Sequence, residues 1–188
     1  MAIRGRIAGG LFLGLAATGL AGCGGGSTGA PNLLANATAP CPRVALLGEA
    51  ADLTRFRAGG PRDLSNMELD ARLVGFQAKC DYAPRRDGLD VTLTLSLSAE
   101  RGPGATGRTA SLPYLVAVVS GDERQVLARE AYAAEVSFPA NVNRVQTRGE
   151  ELSIRIPGSP QEAAGRTVLL GFVLTPEELA LNRQRGTR

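Results

Sequence analysis

Cys23, Cys41 and Cys80 are the thiols of this chain, and no histidine accompanies them anywhere in its 188 residues. That combination decides most of the available chemistry. Ser-His-Asp and Cys-His nucleophile activation both need an imidazole base. Zinc sites built on imidazole need one as well. What remains is thiol chemistry, carboxylate chemistry and arginine-mediated anion binding. Asp52, Asp63, Asp70 and Asp81 are dispersed and lack calcium-loop spacing. Asp122-Glu123 and Glu150-Glu151 are adjacent pairs. Neighbours on a strand point to opposite faces, so both pairs read as solvated charge at loop edges and not as catalytic dyads. A carboxylate-dependent envelope hydrolase stays open as an alternative, because two carboxylates about 5 to 10 Å apart across a pocket need no histidine. Arg85, Arg86, Arg101 and Arg108 fall in predicted loops near the ends of one strand. They offer the other alternative, a module binding small ligands or polyanions.

Two motif matches fail on context. Gly25-Gly26-Ser27-Thr28-Gly29 fits G-x-S-x-G, but a nucleophile elbow needs a strand before it and a helix after it. Gly102-Pro103-Gly104-Ala105-Thr106-Gly107 fits G-x-G-x-x-G, which must open a helix to bind a pyrophosphate. Here the segment leads into another apolar strand and reads as a flexible loop. No catalytic, metal or cofactor-binding residue is assigned, and the chain is read as a non-enzyme without cofactors.

Arg4 and Arg6 precede an apolar or small-residue run from Ile7 to Ala17, which ends in Leu20-Ala21-Gly22-Cys23. A charged n-region, a short h-region and a small-residue cleavage site make a secretory signal. The run is shorter than the about 20 residues a membrane span requires. Leu20-Ala21-Gly22-Cys23 resembles the lipobox of bacterial lipoproteins. The resemblance implies a diacylglyceryl group on the Cys23 thiol, cleavage before that residue and acylation of the new amine. Two or three acyl chains give stable anchoring where one is marginal. Gly24, in place of aspartate after the cysteine, favours the outer membrane. The whole chain resembles small envelope lipoproteins of Gram-negative bacteria.

With Cys23 assigned to lipid, Cys41 and Cys80 remain in a compartment where disulfides form and persist. They are expected to bond to each other, the alternative being two free buried thiols. Residues 1–22 are read as the signal peptide and 23–40 as a lipidated, uncharged Gly/Ser/Pro/Ala-rich tether. Residues 41–183 are read as the folded domain and 184–188 as a basic tail. The chain carries a formal charge of +3, of which Arg4 and Arg6 supply two. The remainder is too small to argue for nucleic acid. Aromatic residues make up 4% and tryptophan is absent, which disfavours a carbohydrate-stacking surface.

The elements that must position these residues are strands. Val91 to Ser98 alternates apolar and hydroxyl side chains without a break. Met67, Leu69, Ala71 and Leu73 alternate in one phase, and Val74, Phe76, Ala78 and Cys80 in the other. That shift predicts a β-bulge near Leu73 to Gly75, with Cys80 pointing inward. Tyr114 to Val119 reads as a central strand covered on both faces. Val126 to Phe138 carries Tyr132, Ala134, Val136 and Phe138 on one face. Leu152, Ile154 and Ile156 alternate, and Val168 to Leu174 is a further apolar strand. Arg43 to Leu47 and Leu53 to Arg57 supply the first edge. Thr175-Pro176-Glu177-Glu178 opens a short helix through a capping box. Seven or eight short strands predict an all-β, antiparallel β-sandwich with a single short C-terminal helix, resembling immunoglobulin-like or fibronectin-like sandwiches in strand count and spacing. The expected role is a lipid-anchored, periplasm-facing domain that supports the cell envelope or binds an envelope protein.

Overall fold

The computed structural model describes residues 38–186; the signal segment, Cys23 and most of the tether lie outside the described residues. In chain order the elements are β1 (Arg43–Leu46), β2 (Asp52–Phe56), β3 (Met67–Tyr82), β4 (Gly88–Arg101), β5 (Thr109–Val119), β6 (Val126–Ser137) and β7 (Arg144–Pro157). Helix α1 (Pro160–Ala164), β8 (Thr167–Phe172) and helix α2 (Pro176–Arg185) complete the chain. One four-stranded sheet has the order β1-β8-β5-β6, and the other β2-β3-β4-β7. Buried side chains from both sheets form one hydrophobic cluster, so the architecture is sandwich-like and mostly β.

The strongest period in the sequence builds the centre of that cluster. Leu89, Val91, Leu93, Leu95, Leu97 and Ala99 of β4 are each at most 1% exposed. Thr92, Thr94, Ser96 and Ser98 lie on the opposite, half-buried face. β4 is flanked on both sides, by β3 and β7, over nearly its whole length.

The phase shift in β3 is a bulge. Its pairing with β4 slips between Leu73 and Gly75. Val74 is the extra residue and is exposed, against its expected inward place. Beyond it Phe76 is half-buried, Ala78 is exposed and Cys80 is buried. β7 carries a second bulge, where Gly149 and Glu150 lie opposite the single residue Leu95. Strand β7 therefore begins at Arg144, well before Leu152. Its inward residues change from Val145 and Thr147 to Leu152, Ile154 and Ile156 across that point.

β5 is central, between β8 and β6. It admits Pro113 because β8 pairs with it only from Tyr114 onward. The lost N–H falls where the ladder has already ended, although the Pro113 carbonyl still accepts from Val173 N at 2.9 Å.

Three expectations need correction. The sandwich is not wholly antiparallel: β1 runs parallel to β8, from Arg43 opposite Thr167 to Leu46 opposite Leu170. The two early strands are not one edge; β1 borders one sheet and β2 the other. The C-terminal helix is not alone, because Ser159-Pro160-Gln161-Glu162 repeats the cap, proline and glutamate pattern of Thr175-Pro176-Glu177-Glu178. Both segments form complete capping boxes.

The G-x-G-x-x-G loop carries the chain from β4 to the other sheet, and it is packed rather than free. A Cβ on Gly102 would lie 2.0 Å from the Met67 carbonyl oxygen, and one on Gly104 would lie 2.7 Å from the Asn66 backbone. Their amides donate to Glu68 O at 3.0 Å and Met67 O at 2.8 Å. The glycines are needed for close backbone approach.

Cys41 and Cys80 are bonded, with their Cα atoms 5.5 Å apart, inside the usual range. The bond joins the segment entering β1 to the distal end of β3, and so links the two sheets. Ala39, within the expected tether, is 8% exposed and belongs to the same hydrophobic cluster.

Truncating Leu95 to alanine is expected to cost about 2 to 5 kcal/mol in chemical denaturation, as for other core leucines. Thr94→Ala, on the opposite face, should cost much less. Thiol titration of denatured, non-reduced Cys23→Ser protein should find no free thiol, and two after reduction.

Candidate functional site

A cleft of about 590 Å³ opens between β2, the turn that follows it and the first turn of α2. Arg55, Arg57 and Arg62 line it together with Glu68, Glu177 and Glu178. Local sequence places each group. β2 pairs with β3, and at the pair Thr54–Asp70 the hydroxyl donates to the carboxylate at 2.8 Å. Thr175 caps α2, and Glu178 reaches back to the Thr175 amide at 2.8 Å through Oε2. Its other oxygen, Oε1, accepts from Arg55 Nε at 3.3 Å. One carboxylate thus closes the helix cap and binds a strand 123 residues away in sequence.

Further polar contacts beside the cleft dock α2. Asn182 is buried, and its amide donates to Glu49 O at 2.8 Å and Asp52 O at 2.7 Å. Arg183 pairs with Glu49 at 2.9 Å. Arg185 donates to Thr54 Oγ1 at 3.0 Å. Arg55 also donates to Ser111 O, and Arg57 to Gly104 O, each at 2.9 Å. Arg55 and Glu178 thus belong to a polar seam holding a helix against an edge strand, while Arg62, Glu68 and Glu177 line the cleft outside that seam. Sequence reading caught the cap but not the seam, because Arg55 and Asn182 find partners that no local pattern reveals.

The arginines singled out by sequence do not converge. Arg85 and Arg86 sit on the β3–β4 turn with φ of 61° and 56°. The Arg86 guanidinium lies 4.5 Å over the Tyr82 ring. Arg101 ends β4 and donates to Asn143 Oδ1 at 3.2 Å. The 14 residues of β4 separate the two groups by roughly 45 Å at the usual rise per residue. They are not one anion site.

Most of the carboxylates singled out by sequence have local partners. Glu150 and Glu151 lie within β7 at its bulge, not at a loop edge. Asp122 accepts from the Ser120 hydroxyl in the β5–β6 turn, and Glu123 pairs with Arg43 at 2.9 Å. Asp52 pairs with Arg72 at 2.7 Å, and Asp81 with Lys79 at 2.8 Å. The shifted acids follow the same rule. The Ser65 hydroxyl holds Asp63 below the ordinary carboxylate range, the Ser120 hydroxyl does so for Asp122, and the Ser159 amide does so for Glu162. Glu130 accepts the Tyr132 hydroxyl and pushes that phenol up to about 12. Among the described residues no three His, Cys, Asp or Glu side chains gather as a metal would require. No described helix is long and apolar enough to cross a membrane.

No protein-family model, curated protein or solved structure matches this chain.

Glu178→Ala should cost about 1 to 2 kcal/mol, since it removes half of the capping box and the Arg55 ion pair. Glu178→Gln, which can still close a capping box, should cost less. A double-mutant cycle with Arg55→Ala should return a favourable coupling in urea denaturation. A zero coupling would mean that the Arg55 contact contributes nothing to docking the helix.

Proposed function

We propose that this chain is a lipid-anchored domain of the cell envelope, facing the periplasm, with a structural or protein-binding role and no catalytic one. The observation that carries the reading is the Cys41–Cys80 bond. Disulfides form and persist outside reducing cytosol, so the bond and the secretory signal agree on an exported protein by independent arguments. The lipobox-like Leu20-Ala21-Gly22-Cys23 then supplies the address, with Cys23 as the acylated residue and the outer membrane as the favoured leaflet. The charge economy of the polar seam supports a non-catalytic domain. Its Arg, Glu and Asn side chains mostly bind one another or the backbone.

The finer fold reading belongs to the same proposal. β4 pairs with β7 in one sheet while β5 pairs with β8 in the other. This interlocking is the one by which immunoglobulin-like sandwiches join their two sheets. β3 lies antiparallel beside β4, as the first strand of such a domain would. The departure is β1, which occupies by parallel pairing the place where a final antiparallel strand would stand.

Cys23→Ser is the deciding variant. The wild-type chain should take up a palmitate analogue and sediment with the membrane fraction. The variant should lose both properties while keeping the Cys41–Cys80 bond. Undiminished labelling of Cys23→Ser would overturn the lipoprotein reading.

A further inference from the structure

Four strands border the two sheets, and the outer side of β3 joins them beyond Arg72, where Lys79 and the bond from Cys80 to Cys41 protect it; three of the four border strands are protected as well. β1 has four residues. β2 has five and is held against α2 by the Arg55, Arg185 and Asn182 contacts. β7 is bulged opposite Leu95 and ends at Pro157. β6 has 12 residues, contains neither proline nor lysine, and pairs with β5 without irregularity from Ala128 to Ser137. Among the described residues no strand pairs with its outer side, and a long, regular, uncovered edge is the arrangement that folded proteins normally avoid.

The direction of its free backbone groups follows from the register. Phe138 N donates to Arg108 O at 2.7 Å. Hydrogen-bonded and non-hydrogen-bonded pairs alternate along an antiparallel ladder. Even-numbered residues of β6 therefore aim their amides and carbonyls at β5. Arg129, Ala131, Ala133 and Glu135 aim theirs away from the sheet, and all four are exposed. Their side chains share the outer face, where two alanines separate an arginine from a glutamate.

We infer that the occupant of this edge is β6 of a second copy of the chain, paired antiparallel about a two-fold axis at Tyr132. In that register the outward residues form the hydrogen-bonded pairs. Arg129 lies opposite Glu135 of the second copy, Ala131 lies opposite Ala133, and symmetry repeats each pair. Both charges meet the opposite sign, and directly opposed charges on one face attract or repel according to sign. Sliding by two residues, the smallest step that keeps the hydrogen bonds, sets Arg129 opposite Ala133 or Ser137 and leaves both charges unmatched. On the inner face the two Tyr132 rings meet at the axis. The contact is isologous and closes on itself, giving a dimer with one continuous eight-stranded sheet. It does not depend on the lipid anchor.

The test uses the full chain, co-expressed in two differently tagged copies and solubilised in detergent. Wild-type copies should capture each other. Arg129→Glu in both copies, or Glu135→Arg in both, opposes like charges twice and should lower mutual capture by about tenfold. Pairing an Arg129→Glu copy with a Glu135→Arg copy restores both attractions and should recover capture to within about twofold of wild type. Ala131→Cys in one copy should oxidise to Ala133→Cys in the other, since Cα atoms of such a pair stand about 5.5 Å apart. Ala131→Cys in both copies should link far less. Retention of the Cys41–Cys80 bond and of protease resistance identifies folded variants, and all these side chains are exposed. Absence of wild-type self-capture overturns the inference. So does self-capture indifferent to the charge reversals, or cross-linking that ignores the Ala131–Ala133 pairing.

Discussion

Every other element answers to the inward row of β4. Six alternating side chains from Leu89 to Ala99 are almost completely removed from water. Burial of each leucine contributes on the order of 1.5 to 3 kcal/mol. The row is stabilising only if neighbours cover it along its full length. β3 and β7 extend to do so and reach 16 and 14 residues. A one-residue slip in either neighbour would turn its apolar set toward solvent.

Both flanking strands carry a bulge, which bends the strand and increases its local twist. The bulge in β3 was legible because Leu73 and Val74 are adjacent apolar residues, which makes the change of phase visible in the sequence. The bulge in β7 follows the same physics but was hidden. Gly149-Glu150-Glu151 is polar, and it interrupts two short apolar sets that look like separate pieces. A bulge is read from sequence only when the apolar residues of the two phases are adjacent, as Leu73 and Val74 are. For the same reason the row of β4 and the half-covered face of β6 were visible beforehand, while the start of β7 was not.

The helices divide in a similar way. Local chemistry made the α2 cap readable, because the threonine, proline and glutamate lie within four consecutive residues. Ser159 to Glu162 spells the same instruction, but five residues of helix carry no apolar period to set it apart. What holds α2 in place could not be read at all. The Arg55–Glu178 pair and the Asn182 amide bonds span more than a hundred residues. A buried asparagine that satisfies two backbone carbonyls is a tertiary solution, and nothing near it in sequence announces those carbonyls. The four arginines failed for the converse reason. They are close in sequence to the ends of one strand, but those ends are a full strand length apart.

The disulfide joins these themes to the proposed anchor. β1 is a four-residue edge held by parallel pairing, the weaker ladder geometry, and alone it would be a poor attachment for a tethered domain. The chain reaches Cys41 before it reaches β1. From Cys41 the covalent path runs directly to Cys80 on β3, beyond the stretch that pairs with β2, where the antiparallel ladder with β4 continues to Tyr82. A pull on the segment before Cys41 is therefore carried into the long antiparallel β3–β4 ladder and does not peel β1 from β8. A bond between two adjacent residues of β1 and β8 would have stabilised the edge but left the load there. The placement of the cysteines, one ahead of the weakest strand and one on a long antiparallel ladder, is what a domain held by its N-terminus requires.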